Sequence, residues 1–283
     1  LVFLPLSYKM GEFLFFHSIC MWHTYTSKIP DKHGIFDWTQ AENETWETLI
    51  TRQYDTMRDR ACEQFIKSLD IVNFETWQVP QHSELSNKLE RLTGWTTVAV
   101  PALIREDLFF SLLAQKKFPC TSFMRVPEEL DYLEEPDIFH EFFWHIPLLS
   151  WWSYARFLER FGQFFINCDK KYHIPLTRIF WFTVEFWLIR TSGEMRIYGA
   201  GILSSHGETK RALEDPGVER VRYDALTCAR TPYRYDIMQS KYFFIEDFEE
   251  IFSLFENNLE GILEKALFLW DIPLTPSPAP VSP

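Results

Sequence analysis

Apolar residues recur every three or four positions through most of the chain, and shorter stretches alternate between apolar and polar residues. The first pattern is typical of a helix with one buried face, and the second is typical of a half-buried strand. The stretch AENETWETLITRQYDTMRDRACEQFIKSL, at 41–69, predicts one or two helices. SELSNKLERLTGW predicts a helix capped by Ser83 or Ser86 that ends near Gly94. Further helices are predicted in REDLFFSLLAQKKF, around EEPDIFHEFFWHIPLLS, at 153–165, in LTRIFWFTVEFWLIR and at 246–270.

Strands are few and short in the same pattern. They are predicted at the start of WTTVAVPALI, in CTSFMRV and in EMRIYGAGILSS, which ends in a Gly/Ser turn. The expected fold class is mainly α with a few short β-strands, in a single compact domain at 25–270. Residues 1–24 are interpreted as an N-terminal extension that is mis-translated or disordered, with Met10 as a candidate start. Residues 271–283, DIPLTPSPAPVSP, are expected to form a Pro-rich disordered tail.

Composition narrows the range of partners. The chain has 283 residues, 46% hydrophobic content and a formal net charge of −12. That charge argues against nucleic acid or an anionic membrane as the main partner. Five cysteines without a CxxC pair are typical of reduced thiols in a cytoplasmic protein. The chain has no basic signal-peptide start and no apolar run of about 18 residues, so neither secretion nor membrane insertion is expected.

Two histidines five positions apart, His140 and His145, are the first candidates for chemistry, and Glu141 directly follows the first. On a regular α-helix five residues turn roughly 140°, so the two imidazoles would point well away from each other. The pair by itself is compatible with a metal site and also with two unrelated structural histidines.

Glu185 strengthens the case for a metal because it lies in the apolar and aromatic stretch FWFTVEFWLIR. An ionised carboxylate is costly to bury there without a cation. One alternative is an ion pair with Arg178 or Arg190, which are poorly placed on the same segment. The other is a divalent metal. Two imidazoles and one carboxylate, with other positions open, form the facial triad of non-haem Fe(II) sites that activate dioxygen.

The segment EELDYLEEPDIFHEFFWHIPLL resembles the iron-binding segment of the pterin-dependent aromatic amino acid hydroxylases, and it is most similar to the short bacterial phenylalanine hydroxylases of that family. The resemblance covers roughly 25–270. It continues, in the family's order, through YTSKIPDKHG, TGWTTVAVPALI, FPCTSFMR, RIFWFTVEFWLIR, IYGAGILSSHGET and RTPYRYDIMQSKYFF. Seven ordered matches are far more specific than one short motif.

The resemblance implies the metal and pterin residues. Its iron ligands correspond to His140, His145 and Glu185, and a local widening to π-helical geometry would bring the two histidines together. The pterin is expected to stack on Phe109 and to contact the backbone of the preceding loop. The residues implied at the pterin site are Leu103, Ile104, Phe109, Glu141 and Phe180, with Glu141 also counted among the catalytic residues. Without the resemblance, Phe109 and Phe180 would be interpreted as core residues.

The resemblance also implies an amino acid site. Arg125 in CTSFMR matches the arginine that holds the substrate carboxylate, a task suited to a planar bidentate guanidinium. The other substrate-binding residues that it implies are Pro136, Trp181, Phe186, Ser204 and Ser205. Tryptophan at position 181 favours phenylalanine as the substrate, because tryptophan hydroxylases typically have phenylalanine there.

The implied activity is the conversion of L-phenylalanine to L-tyrosine with O2, using Fe(II) and tetrahydrobiopterin or a related tetrahydropterin. One alternative is hydroxylation of tryptophan or of several aromatic amino acids, and another is a catalytically impaired homologue that binds an amino acid or pterin. The chain lacks room for the regulatory domain and tetramerisation helix of the animal enzymes. A monomer is therefore expected. The cysteine usage and the net charge add the expectation of a cytoplasmic protein without nucleic-acid or membrane partners.

Three tryptophans depart from the family pattern, because Trp144, Trp187 and Trp270 stand where members usually have glycine. Overpacking a core typically costs about 1–3 kcal/mol, so an indole beside a metal ligand could distort the site. One hypothesis is that the gene uses UGA for glycine and was translated with a code that reads UGA as tryptophan. Peptide mass spectrometry of the natural protein across 141–150 tests this, and a tryptophan found there would contradict it.

Overall fold

The computed structural model describes residues 25–101, 104–130, 133, 135–234 and 238–273. The sequence expectation for residues 1–24 lies outside the described residues. Of the tail predicted at 271–283, only 271–273 are described, and there the Ile272 N–H donates to the Arg230 carbonyl at 2.8 Å. The helices of the first half are Gln40–Met57 (α1), Glu63–Val72 (α2), His82–Leu92 (α3), Glu106–Ala114 (α4), the π-helix His140–His145 and Ile146–Leu149 (α5). Those of the second half are Trp152–Asn167 (α6), His173–Val184 (α7), Ala200–Leu203 (α8), His206–Glu214 (α9), Ala225–Arg230 (α10), Glu249–Phe252 (α11) and Leu259–Phe268 (α12).

The strands are short and form two sheets. They are Thr96–Val100 (β1), Lys117–Thr121 (β2), Trp187–Thr191 (β3), Glu194–Ile197 (β4), Glu219–Arg222 (β5) and Lys241–Ile245 (β6). β1 and β2 form a parallel pair, and the other four are ordered β4-β3-β6-β5. Only the β3–β4 pair is antiparallel in that second sheet. The prediction of a mainly helical fold with a few short strands is confirmed.

The helix predictions hold where one buried face carries the pattern. α1 begins with a capping box, in which Thr39 accepts a hydrogen bond from the Glu42 N–H and Glu42 reaches back to the Thr39 N–H. α1 and α2 together confirm the one or two helices predicted at 41–69. α3 begins one residue before the expected cap Ser83. The other candidate cap, Ser86, lies inside α3, where its hydroxyl accepts a hydrogen bond from the Thr97 N–H of β1.

The largest departure from the sequence prediction lies around Glu185. One helix was predicted through LTRIFWFTVEFWLIR, but α7 ends at Val184 and the chain continues as β3. β3 lies between β4 and β6, so pairing with two neighbouring strands overrides the local helical pattern. Glu185 therefore stands at a junction between a helix and a strand and not within a helix.

Three other elements differ from their predicted extent. The helix predicted at 246–270 is divided into α11, a 3-10 turn at Ser253–Phe255 and α12. Asn258 breaks it, because it adopts a left-handed conformation and its side chain accepts a hydrogen bond from the Gly261 N–H. Of the strand predicted in CTSFMRV, only Cys120 and Thr121 are extended, at the end of β2, and 122–126 is not a strand. EMRIYGAGILSS divides into β4 and α8.

The core is rich in aromatic side chains. Fully buried rings include those of Trp46, Trp95, Phe110 and Phe161, and Phe110 stacks on Phe165 with ring centroids 4.0 Å apart. α4 and α6 pack against each other through Phe110, Phe161 and Phe165. Within the described ranges, none of the helices has the length and apolar character needed to cross a membrane.

Candidate metal centre

The segment that carries both histidines is a π-helix. His140–His145 forms a single π-helical segment, and the Ile146 N–H donates to the carbonyl of Glu141, five residues earlier. In this geometry five residues approach a full turn, so the two imidazoles lie on one face. Their Nε2 atoms are 2.9 Å apart. The local widening expected from the five-residue spacing is therefore present in the structure.

Glu185 completes the cluster from the end of α7. Its Oε1 lies 3.2 Å from Nε2 of His145, and its Oε2 lies 3.7 Å from Nε2 of His140. A ligand nitrogen lies about 2.1 Å from a divalent metal, so two ligands at right angles around one ion lie about 3 Å apart. The spacing of the three side chains fits three ligands on one face of an octahedron, and they form a metal-binding group within the described part of the chain.

The ion pairs proposed as an alternative for Glu185 are not formed. Arg178 Nη1 pairs with Asp271 at 2.7 Å, and Arg190 pairs with Glu246 on the surface. Both arginines therefore have carboxylate partners elsewhere, which removes the structural explanation for a carboxylate in an apolar wall. Glu185 instead lies beside the two imidazoles, in a group that could hold a metal ion.

The protonation states also suit a metal. Burial lowers the pKa of His140 well below its usual value and lowers that of His145 as well. The pKa of the Glu185 carboxyl lies below its usual value; burial acts to raise it, and the hydrogen bond from His145 is among the interactions that act to lower it. The site thus presents two neutral imidazoles and one carboxylate, which are the forms that bind metal ions.

Gly199, in the turn before α8, and Ile202, within α8, hydrogen-bond to the backbone around Glu185. The Ile202 N–H donates to the Glu185 carbonyl at 3.2 Å, and the Gly199 N–H donates to the Trp187 carbonyl at 3.2 Å. A Cβ atom on Gly199 would lie 2.4 Å from the Glu185 carbonyl oxygen and 2.5 Å from the Trp187 nitrogen. Only glycine lets this turn approach the ligand-bearing backbone so closely.

A Gly199→Ala variant is expected to bind metal more weakly and to unfold more easily, because the added methyl group must displace backbone on both sides of Glu185. Overpacking of this kind typically costs about 1–3 kcal/mol. Urea unfolding and metal titration measure the two effects. Gly207→Ala is the control, because its Cβ meets only the flexible end of the Met238 side chain. Equal stability and metal affinity in Gly199→Ala and the wild-type chain would contradict this role of the turn.

The residues predicted to bind pterin lie in the aromatic core next to the histidines. Phe109 contacts Phe180 edge-on at 5.7 Å and Phe118 at 6.4 Å, and the Phe118 ring lies 5.2 Å from that of His145. Phe109 has 0% exposure, so a stacked pterin requires its covering side chains to move. Ile104 is partly buried against the core, and Leu103 lies outside the described residues. The pterin-binding roles remain predictions.

Glu141 is buried beside His140, a predicted metal ligand. Burial raises the pKa of its carboxyl to about 8, and the charges of Glu185 and Asp137 act in the same direction. The predicted place of Glu141 on the pterin side of the metal remains a prediction.

Arg125 lies in a buried ion pair that the sequence did not predict. Its Nε donates to Asp137 Oδ2 at 2.8 Å and its Nη2 donates to Oδ1 at 2.9 Å. Asp137 Oδ1 also accepts the backbone N–H of His140 at 3.0 Å. Asp137 thus joins the residue predicted to bind substrate to a metal ligand. An aspartate directly before the first turn of a helix can accept the N–H three residues later, as Asp137 does from His140, and this capping position was the only signal in the sequence.

The other predicted substrate residues flank this cluster. Trp181 and Phe186 stack with centroids 5.0 Å apart, and Pro136 is buried, where its carbonyl accepts the Thr121 hydroxyl at 2.8 Å. The predicted turn residues have structural hydrogen bonds after α8, which contacts the π-helix. Ser204 Oγ donates to the Gly201 carbonyl, and Ser205 Oγ caps α9 by accepting the Glu208 N–H.

The two unusual tryptophans beside the ligands pack among aromatic side chains. The Trp144 ring stacks on Phe65 at 5.4 Å and meets Phe143 edge-on at 4.7 Å. The Trp187 ring contacts Tyr223 at 4.9 Å. Both side chains are fully buried, and neither indole N–H has an acceptor among the described residues. The chain accommodates both indoles outside the ligand cluster, while the recoding hypothesis remains untested.

A mainly helical domain with two imidazoles and one carboxylate on one face of a buried site defines a non-haem metal enzyme of the facial-triad class. A profile of the biopterin-dependent aromatic amino acid hydroxylase family matches residues 10–269. The chain belongs to this family.

Named relatives and solved structures agree with that assignment. A phenylalanine-4-hydroxylase from Vibrio cholerae is 42% identical over 243 residues, which cover 86% of this chain and 84% of that protein. One from Pseudomonas aeruginosa is 39% identical and covers 87% of this chain and 93% of its own length. The apo structure of the cold-active phenylalanine hydroxylase from Colwellia psychrerythraea 34H aligns with a TM-score of 0.83 at 42% identity, covering 87% of this chain and 95% of that one.

Proposed function

We propose that this chain is a phenylalanine 4-monooxygenase, which converts L-phenylalanine to L-tyrosine with O2, Fe(II) and a tetrahydropterin. The observation that carries the proposal is the group of His140, His145 and Glu185, whose ligand atoms all lie within 4.8 Å of one another. Two relatives at 42% and 39% identity bear the name phenylalanine-4-hydroxylase, which supports the choice of substrate.

The side chains of the site have distinct tasks in this proposal. His140, His145 and Glu185 would hold the iron and leave its other positions open to small molecules. When bound, the iron together with the reduced pterin supplies the activation of dioxygen. The surrounding aromatic side chains exclude water from the reacting groups and keep the local dielectric constant low.

Arg125 is the proposed anchor for the amino acid carboxylate. Asp137 engages Nε and Nη2 of its guanidinium, so we assign Nη1 to the substrate. The ion pair holds the planar guanidinium in one place, and a fixed donor loses little conformational entropy when the substrate binds. Trp181, Phe186 and Pro136 are proposed to border the substrate ring, with Ser204 and Ser205 in the turn beside them.

The pterin is proposed to bind beside Phe109 and Phe180, with Leu103 and Ile104 contacting it through their backbone and Glu141 facing it.

The same proposal extends to the compartment, the oligomeric state and the partners of the protein. We propose a cytoplasmic monomer whose partners are its small-molecule substrates, and the net charge of −12 argues against nucleic acid.

Two other functions remain as candidates. Tryptophan, or several aromatic amino acids, is the alternative substrate. Trp181 at the proposed substrate site favours phenylalanine. A catalytically impaired binding protein is the second candidate, motivated by Trp144 and Trp187. The packing of Trp144 against Phe65 and of Trp187 against Tyr223 supports the active enzyme, because both indoles are accommodated outside the ligand cluster.

An amino acid hydroxylation assay separates these functions. Purified chain loaded with Fe(II) is mixed with tetrahydrobiopterin, O2 and either L-phenylalanine or L-tryptophan, and the products are measured by chromatography. We expect L-tyrosine from L-phenylalanine with a higher kcat/KM than any product from L-tryptophan. Hydroxytryptophan as the main product would favour the alternative substrate. Bound iron without any hydroxylated product would favour the impaired homologue.

A further inference from the structure

The structure places the Tyr233 ring against Trp181, four residues before the predicted metal ligand Glu185. The sequence assigned Tyr233 no role. Tyr233 follows α10, and its ring stacks on Trp181 with centroids 4.2 Å apart and planes inclined by 12°. Trp181 in turn stacks on Phe186, with centroids 5.0 Å apart and planes inclined by 27°. These three rings, Tyr233, Trp181 and Phe186, are called the aromatic wall below.

The aromatic wall is joined to the metal ligand by backbone hydrogen bonds. The Trp181 carbonyl accepts the N–H of Glu185 at 3.0 Å and the N–H of Phe186 at 3.3 Å. Trp181 is 3% exposed and Phe186 is 7% exposed, so both rings are packed on nearly all sides. The place of the Trp181 indole is therefore coupled to the place of the ligand-bearing turn.

The rings of the aromatic wall also pack against α8 and against Phe182. A Cβ atom on Gly201 would lie 2.8 Å from Cζ of the Phe186 ring, so α8 already touches that ring. Tyr233 covers the indole of Trp181 and also meets the Phe182 ring edge-on at 6.5 Å. Phe186 has no room to move toward α8, and Trp181 has none to move toward Tyr233.

We propose that Tyr233 is a positioning residue that holds the indole of Trp181 in place and thereby sets which aromatic side chain the site accepts. The inference rests on the proposed function, in which Trp181 borders the substrate ring. While Tyr233 is present, Trp181 cannot withdraw and the site fits one six-membered ring. When the Tyr233 ring is removed, the indole gains room to move and a bicyclic substrate gains space.

The test compares kcat/KM for L-tryptophan with kcat/KM for L-phenylalanine in the iron-loaded chain. Pocket changes as small as one methylene alter selectivity by about 10- to 200-fold, so we expect Tyr233→Leu to raise this ratio about tenfold. Tyr233→Phe keeps the stacked ring and is expected to leave the ratio unchanged. Tyr223→Leu is the matched control, because it removes a ring from Trp187 and not from the aromatic wall.

Two outcomes overturn the inference without touching the proposed function. One is an unchanged ratio in a folded Tyr233→Leu variant, and the other is an equal rise of the ratio in Tyr223→Leu. If Tyr233→Leu does not fold, Tyr233→His keeps a smaller ring and is expected to raise the ratio in the same direction. Dissociation constants of the two amino acids, measured by calorimetry, report selectivity without turnover. Failure of the wild-type chain to form tyrosine therefore counts against the proposed function alone.

Discussion

A His140→Ala variant is expected to lose its iron. Changes to groups that merely hydrogen-bond to metal ligands already cost about 10- to 100-fold in metal affinity, so removing a ligand should weaken Fe(II) binding at least about 100-fold. The remaining Nε2 of His145 and the carboxylate of Glu185 lie 3.2 Å apart and would hold the ion from two directions only. Metal analysis after gel filtration measures the iron that remains on each variant.

The control for this experiment is His173→Ala. His173 is also buried, and its ring stacks on Phe165 at 4.0 Å, away from the ligand cluster. This variant is expected to keep one iron per chain, so it separates loss of a ligand from loss of a buried imidazole. Stoichiometric iron in a folded His140→Ala variant would overturn the ligand assignment.

An Asp137→Ala variant is expected to lose both stability and metal affinity. The Arg125 and Asp137 side chains are 4% and 0% exposed, and removing one partner of a buried ion pair typically costs about 3–5 kcal/mol. The variant also leaves the backbone N–H of His140 without the acceptor it has in the structure. Urea unfolding measures the free energy of unfolding, and metal titration measures the affinity.

The comparison for this prediction is Glu63→Ala. Glu63 pairs with Lys67 on the surface, where both side chains are at least 67% exposed, so removing this pair should change the free energy of unfolding by about 0.5 kcal/mol or less. If Asp137→Ala is no less stable than Glu63→Ala, the buried pair does not hold Arg125 in the way described.

The sequence grouped the three candidate metal ligands, which the structure brings together, because their chemistry is unusual in its surroundings. A carboxylate in FWFTVEFWLIR requires a cation, and only a few residue types form a facial triad, so Glu185, His140 and His145 could be grouped before any coordinates. The periodic helices α1, α2 and α6 were predicted for a different reason. Each buries one face, and a buried face leaves a regular apolar pattern in the sequence.

The remaining features depend on contacts between distant parts of the chain. α7 ends before Glu185 because β3 pairs with β4 and β6, and no local pattern records that pairing. The stack of Tyr233 on Trp181 joins residues that are 52 positions apart. Asp137 was missed because its two partners, Arg125 and the His140 N–H, become visible only when the loop before the π-helix is folded.

The position of bound iron is the most direct test of the central claim, which is that three side chains from two segments hold the metal. Crystals loaded with Fe(II) under anaerobic conditions and measured at the iron absorption edge give that position by anomalous scattering. We expect one peak per chain, about 2.1 Å from Nε2 of His140, from Nε2 of His145 and from a carboxylate oxygen of Glu185. A peak at any other place, or no peak in a folded chain, would contradict it.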